Sequence, residues 1–243
     1  MCMLYNNIFT LTIEERVMII LHGFAASNYY NLVKHVLLYK QLPFQENLLY
    51  AGSKELLAIS PVGKIPAITT PDGLNISESS VICDFLEETY PDIQLYPENS
   101  GERAVVRQIM KIAELYFELP SRRFIPYAFS GTEAPELVKV EVRQVIKRGI
   151  TALSHLSQFS PWIAGDQFTM ADIYVYYVNS IVSKFASSQL EWDVLAEIPG
   201  MTEWNESMSE STIAQKIEAD RLTNMPEFIK KVTAQIKASK AKQ

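Results

Sequence analysis

Apolar positions along the chain change their period once. From residue 18 to about residue 90, short apolar runs alternate with stretches of three- and four-residue spacing. Residues 18–22 form a continuous apolar run ending in His22, as a buried strand does. Gly23 closes the run, and Leu32, Val33, Val36, Leu37 and Lys40 then recur at helical spacing from about Asn28 until Pro43. Residues 44–49 predict a second strand, and residues 54–59 one or two helical turns closed by Ser60-Pro61. Two short strands over 67–69 and 74–76 flank Pro71-Asp72-Gly73, where proline at the first central turn position and Asp-Gly after it favour a hairpin. Val81, Ile82, Phe85 and Leu86 predict a helix over 79–90 that ends before Pro91. The order is β-α-β-α-β-β-α.

From Gly101 onward the strand signals disappear. Val105, Ile109, Ile112, Tyr116 and Leu119 make one helical stripe, stopped by Pro120. Val138, Val142, Val145, Ile146, Leu153 and Leu156 make another, interrupted by Gly149. Further helices are expected at about 169–186, 200–210 and 225–238. Residues 92–100, with Pro97 and Asn99, read as a linker. The expectation is an α/β domain over 18–91 joined through 92–100 to an all-helical domain over 101–243. Residues 1–17 read as an N-terminal extension outside the fold, with Met18 the native start. The run at 18–21 followed by Gly23–Ser27 faintly resembles a secretory segment, but Glu14-Glu15-Arg16 before it and His22 within it favour a buried strand.

Composition narrows the chemistry. The chain has 243 residues, 48% of them hydrophobic, with 22 basic and 28 acidic side chains and a net charge of −6. That is too apolar for a disordered chain and suits one large domain or two small ones. An acidic chain with no basic stretch is a poor match for a phosphate backbone, so nucleic acid is not an expected partner. No segment approaches the roughly 18 apolar residues of a membrane helix, so no membrane partner is expected either. The two cysteines, Cys2 and Cys83, form no CxxC pair, and His22, His35 and His155 stand far apart. A disulfide framework, a metal site and a two-cysteine redox centre are therefore not expected. Cys83 falls on the inner stripe of its helix, as a small buried hydrophobe would.

Three short segments carry candidate chemistry. In Gly63-Lys64-Ile65-Pro66-Ala67-Ile68, Pro66 can lead a strand because it needs no amide hydrogen, leaving the Ile65 backbone free to pair with an extended peptide. A plain trans turn is the ordinary alternative. In Ser77-Glu78-Ser79-Ser80, hydroxyls at a helix start are normally caps. An acid followed by hydroxyls at that place also suits a zwitterion: Ser79 and the helix end take a carboxylate, and Glu78 an ammonium. In Phe24-Ala25-Ala26-Ser27-Asn28-Tyr29-Tyr30, Ser27 is either an N-cap or a hydroxyl donor at the same end of the sheet.

In this order the three segments resemble the thioredoxin-like domain of the cytosolic glutathione transferases, and the likeness extends over about residues 18–240. Its most specific pieces are Ser60-Pro61-Val62-Gly63-Lys64-Ile65-Pro66-Ala67-Ile68 followed by Ser77-Glu78-Ser79-Ser80-Val81-Ile82. Another is Ala164-Gly165-Asp166-Gln167-Phe168-Thr169-Met170-Ala171-Asp172, in which Thr169 as N-cap and Asp172 three residues on form a capping box. The resemblance implies an α/β thioredoxin-like domain followed by an all-α domain, with glutathione as co-substrate and no metal. It implies a cis Pro66, the Ile65 backbone against the cysteinyl part of glutathione, Glu78 and Ser79 on the γ-glutamyl end, and Lys64 near the glycyl carboxylate.

In family members the activating hydroxyl is a tyrosine late in the first strand or a serine at the first helix. Phe24 follows His22-Gly23, so the tyrosine type is missing there, and Ser27 falls at the serine position of theta- and zeta-like members. Tyr29 and Tyr30 remain alternatives for facing the sulfur. The implied reaction is attack of the glutathione thiolate on a small hydrophobic electrophile held between the domains. Tyr116, Phe117, Arg122, Arg123 and Phe124 are candidate wall residues, against core packing or a solvated face. A cytoplasmic homodimer acting in detoxification is implied as well. Isomerisation, dehalogenation or peroxide reduction with glutathione, or a non-catalytic protein-binding module on the same fold, are the alternatives.

Overall fold

A computed structural model describes residues 18–240. The reading of residues 1–17 as an extension, and Cys2, lie outside the described residues. The apolar run at the start is strand β1 (Ile19–Gly23), and α1 (Asn28–Tyr39) carries the chain over to β2 (Phe44–Leu48). A single turn of helix, α2 (Lys54–Leu57), precedes β3 (Ala67–Thr69), β4 (Asn75–Ser77) and α3 (Ser79–Thr89). The sheet order is β2-β1-β3-β4, with β1 parallel to β2 and antiparallel to β3, and β3 antiparallel to β4. The parallel pair needs the α1 crossover; the antiparallel β3–β4 pair needs only the Pro71-Asp72-Gly73 turn.

Alternation along β1 sends Ile19 and Leu21 into the core with Leu32, Val33, Val36, Ile82 and Leu86. It sends His22 to the opposite face, where one row of hydrogen bonds crosses all four strands. Asn47 Nδ2 lies 3.0 Å from His22 Nδ1, His22 Nε2 lies 2.8 Å from Thr69 Oγ1, and Thr69 Oγ1 donates to Asn75 Oδ1 at 2.7 Å. Because Thr69 donates onward to Asn75, its oxygen accepts from His22 Nε2–H, which leaves His22 Nδ1 to accept from Asn47. Burial lowers the pKa of His22 and keeps the ring neutral for this row.

Among the described residues beyond 99, every regular element is helical. α4 (Ser100–Ala113) continues through a π-helical turn (Glu114–Glu118) into α5 (Leu119–Arg122), followed by α6 (Ile125–Ser130) and α7 (Glu136–Leu156). α8 (Met170–Ile181) runs through a second π-helical turn (Val182–Ser187) into α9 (Ser188–Leu190), and α10 (Met201–Glu210) leads to α11 (Thr212–Lys240).

Three sequence expectations are corrected here. Pro120 does not stop the helix, because the π-helical turn bonds Leu119 N–H to Glu114 O, five residues back, and reaches the proline in a widened register. Gly149 does not interrupt α7; it is the point where the helix touches Phe117. The last helix begins at Thr212 rather than 225, capped by Ser211 Oγ on the Ala214 amide at 3.2 Å, and runs on through Pro226. Pro226 is exposed, so the carbonyl it leaves unpaired is on the wet side of the helix.

The connector over 92–100 is packed, with Leu95 and Tyr96 buried. Lys40 Nζ donates to the carbonyls of Tyr90 (3.0 Å) and Ile93 (2.6 Å) and pairs with Glu87, whose other oxygen takes the amides of Leu95 and Tyr96. The helical half contacts the sheet half mainly through α8 lying on α1. Tyr39 stacks on Phe168 at 4.7 Å, Tyr29 meets Tyr174 edge-on at 6.3 Å, and His35 Nδ1 lies 3.0 Å from Tyr177 Oη. One core runs through both halves.

Candidate active site

Strand register gathers the predicted segments at one end of the sheet. One step past the pair Ala67↔Ser77 sets Pro66 beside Glu78, and one step past His22↔Ala67 sets Gly23 beside Pro66. Gly23 makes this convergence possible. Its φ is +147°, and a Cβ there would stand 2.5 Å from Tyr30 Cδ2 and 3.3 Å from Ile65 Cβ. Only glycine fits between the first turn of α1 and the strand entry at Ile65.

Ser27 is the N-cap of α1: its backbone is extended and its Oγ accepts from Tyr30 N–H at 3.4 Å. Among the described residues its hydroxyl hydrogen has no acceptor, so the cap still has a donor to give. No acidic residue occupies the first turn of α1, so no carboxylate of its own first turn offsets the positive end of the helix dipole. The loop is held from within: Ser27 N–H donates to Phe24 O at 3.1 Å, and Asn31 Nδ2 to Ala25 O at 2.9 Å.

The Ile65–Pro66 peptide is cis, with Pro66 buried, Ile65 half-buried and Lys64 exposed. Glu78 is exposed, directly precedes α3 and makes no capping bond with its side chain. Its φ of +70° is a left-handed conformation that costs a non-glycine residue on the order of 1–3 kcal/mol. Ser79 opens α3 and is half-buried. Ser27, Lys64, Ile65, Pro66, Glu78 and Ser79 thus lie at one end of the sheet, around the N-terminal ends of α1 and α3.

Both tyrosines of the α1 loop are committed elsewhere. Tyr30 is buried and donates its hydroxyl to Glu46 Oε2 at 2.5 Å; burial and this carboxylate push its pKa up. Tyr29 lies between the halves with the Arg122 guanidinium 5.3 Å above its ring. Burial, then the charge of Glu118, raises its pKa.

Of the proposed wall residues, Phe117 and Phe124 are core, Tyr116 is exposed, and Arg123 pairs with Glu141 at 2.7 Å on the surface. Arg122 reaches the first turn of α1 with a hydrogen bond. Its Nη2 donates to Asn28 Oδ1 at 2.9 Å and its Nε to Glu118 Oε1 at 2.5 Å. Glu118 is fully buried, and burial raises its pKa against the opposing pull of Arg122 and Asn28.

One face of α11 also belongs to this region, and sequence reasoning missed it. Asn224 Oδ1 accepts the Ala26 amide at 3.1 Å, and Phe228 stacks on Phe24 at 5.2 Å. Phe24 stacks in turn on Tyr50 at 4.9 Å, and Lys231 Nζ sits 4.2 Å from the Tyr50 ring centre. One turn earlier, Asp220 pairs at 2.8 Å with buried Lys34, which also holds Glu46 at 2.7 Å. Positions 220, 224, 228 and 231 share one helical face. In the sequence this face is hidden, because only Phe228 among the four is apolar and because 220 and 224 precede the helix expected over 225–238. Two cavities, of about 520 and 480 Å³, lie beside the connector and beside Trp192, and no candidate residue lines either.

The family model "Glutathione S-transferase, N-terminal domain" matches residues 21–98. A glutathione S-transferase from Pseudomonas putida is 37% identical over 216 residues, 88% of this chain and 98% of the relative. A maleylacetoacetate isomerase from Rattus norvegicus is 30% identical over 124 residues, 50% of this chain and 55% of the relative. The solved structure of a glutathione S-transferase from Methylobacterium radiotolerans, in complex with glutathione sulfonate, superposes with a TM-score of 0.69 at 20% identity, covering 82% of this chain and 93% of that one.

Proposed function

Because the chain belongs to the glutathione S-transferase family, we propose that it is a glutathione transferase, lowering the pKa of the glutathione thiol and presenting the thiolate to a small hydrophobic electrophile. The observation that carries this reading is Ser27 at the N-cap of α1, its hydroxyl hydrogen without an acceptor among the described residues and no acid in the helix's first turn. A free thiol titrates near pH 8.5, so only a few per cent is ionised at pH 7. A hydroxyl donating to sulfur and the positive end of α1 both favour the thiolate. The thiol proton leaves to solvent; the sulfur lone pair forms the new bond to carbon as the electrophile's leaving group departs with its electron pair. Tyr30, spent on Glu46, and Tyr29, packed against the helical half, are poorly placed to replace Ser27.

In this assignment Glu78 meets the ammonium and Ser79, with the start of α3, the carboxylate of the γ-glutamyl end. The Ile65 backbone beside Pro66 pairs with the cysteinyl part, and exposed Lys64 attracts the glycyl carboxylate. Residues 18–91 form the glutathione-binding unit and residues 101–243 the helical one, joined by 92–100. The electrophile lies between them, beside Arg122 and the Phe228 face of α11. Val81, Leu115, Tyr116 and Leu119 leave large apolar side chains exposed, which supports a homodimer. Among the described residues no helix is long and apolar enough to cross a membrane, which is compatible with a cytoplasmic enzyme.

Retention on immobilised glutathione and turnover of a generic aromatic halide test the reading. Ser27→Ala is expected to lower kcat/KM about 100-fold, the scale of one lost donor at a developing charge, while Tyr30→Phe leaves it within a fewfold. Full turnover by Ser27→Ala makes the serine assignment wrong, and failure to bind glutathione removes the enzyme reading altogether. The similarity to a maleylacetoacetate isomerase supports a second reading, glutathione-dependent isomerisation. Stoichiometric loss of free thiol during turnover reports transfer; undiminished thiol reports isomerisation.

A further inference from the structure

The loop that carries Ser27 is pinned at three backbone groups, and one of them is held from the far end of the chain. Phe24 O takes the Ser27 amide and Ala25 O takes the Asn31 side chain, both bonds spanning a few residues. The Ala26 amide has no such local partner. Ala26 precedes the N-cap, so its N–H lies outside the α1 ladder. It is taken instead by Asn224 Oδ1 at 3.1 Å, from α11 and 198 positions away in sequence.

α11 is itself clamped on either side of that bond. Asp220 is tied to buried Lys34 one turn before it, and Phe228 is stacked on Phe24 one turn after it. The carbonyl oxygen of Asn224 is therefore presented at a set place, and the residue it grips is the immediate neighbour of Ser27.

We propose that Asn224 is a positioning residue for Ser27, fixing through the Ala26 amide where the serine hydroxyl points, so that thiol activation depends on the docking of α11. This rests on the glutathione transferase reading with Ser27 as the donor. A hydrogen bond weakens steeply with angle, so a loop freed by a fraction of an ångström lets the hydroxyl wander from the sulfur while the residues that bind the rest of glutathione stay in place. The effect belongs on thiolate formation rather than on affinity for glutathione with its thiol protonated. The charged groups α11 brings alongside are Asp220 on Lys34, and Lys231 and Glu227 at Tyr50, whose hydroxyl also faces Asn224.

A spectroscopic pH titration of enzyme-bound glutathione tests this in wild type, Asn224→Ala, Ser27→Ala and the double variant. Alanine is the better helix former, so α11 is not weakened intrinsically, and circular dichroism melts check that the fold persists. Leu222→Ala, at an exposed position on the same helix, serves as the control. Asn224→Ala is expected to raise the thiolate midpoint by about 0.5–1 pH unit, three- to tenfold less thiolate below the midpoint, with glutathione affinity, measured below both midpoints where the bound thiol is protonated, within about twofold of wild type. In the Ser27→Ala background the same change is expected to shift nothing further. No shift in Asn224→Ala, a downward shift, or an equal shift in both backgrounds overturns the proposal. Failure of the underlying reading looks different: Ser27→Ala alone then leaves the midpoint at its wild-type place, and this proposal falls with it.

Discussion

A Cβ on Gly149 would stand 2.4 Å from Phe117 Cε2 and 2.9 Å from Tyr116 Cβ, both on the π-helical turn that α7 crosses. Phe117 is buried, so its ring has no free space into which to retreat. Gly149→Ala is therefore expected to destabilise the protein by about 1–3 kcal/mol, despite alanine's better helix propensity. A urea midpoint that rises instead would show that the contact yields. In the sequence the same glycine reads as a break in a stripe, because a missing Cβ signals an interruption and a close approach alike. Ser27 shows a similar division. Its place before a helix is legible, but that Tyr30 is spent on Glu46 depends on β2 lying beside α1. Glu78 and Ser79 stand out because an acid before hydroxyls at a helix start is a pattern within four residues.

At the scale of elements, the start of α8 shows how far local pattern reaches. Thr169 and Asp172 are three residues apart, and the carboxylate takes the Thr169 amide at 2.8 Å and its hydroxyl at 3.0 Å. The same fully buried carboxylate also takes the Ile163 amide at 2.8 Å and the Trp204 indole N–H at 3.0 Å, which no local pattern announces. Burial raises the pKa of Asp172, and these four donors oppose that shift. Loss of an ordinary N-cap costs about 1 kcal/mol. Asp172→Ala strips four buried donors at once and is expected to cost about 3–5 kcal/mol. A loss near 1 kcal/mol by chemical denaturation would mean that Ile163 and Trp204 find other partners. The π-helical turn before Pro120 is the opposite case: the proline is visible, but the register that carries the helix through it is set by packing against α7 and α8.

At the scale of the whole molecule, the halves are joined by α8 lying on α1, and His35 is the titratable group at their centre. Buried against Tyr177, it has a pKa lowered from 6.5 to about 4 by loss of solvent. The unfolded chain takes a proton below about pH 6.5 that the folded chain refuses until about pH 4. The stability contributed is complete above pH 6.5 and lost as pH falls toward 4, by up to roughly 3 kcal/mol. His22, also lowered, acts in the same direction. Glu118 and Asp172, raised by burial, act oppositely: they penalise the folded state at neutral pH, and the penalty eases as pH falls. His35→Gln is expected to flatten the fall in denaturation midpoint between pH 6.5 and 4. An unchanged slope would place the acid sensitivity elsewhere.

The amino-acid sequence by itself determined the order of strands and helices as far as α3, the division into an α/β part and a helical part, the hairpin turn and the capping box. Each depends on side-chain periodicity or on residues within a few positions of one another, where backbone geometry leaves few choices. The six candidate residues fall in three short local patterns, while the role of Lys64 and the cis bond at Pro66 come from the family resemblance and not from the patterns. Only the tertiary structure decided that those patterns meet, since their meeting is a matter of strand register at Pro66. It alone decided that the connector is packed through Lys40 and Glu87, and that α11 returns across some two hundred residues to grip the Ser27 loop. A single Asn carbonyl has no periodicity and no apolar stripe to betray it, so its partner exists only once the chain is folded.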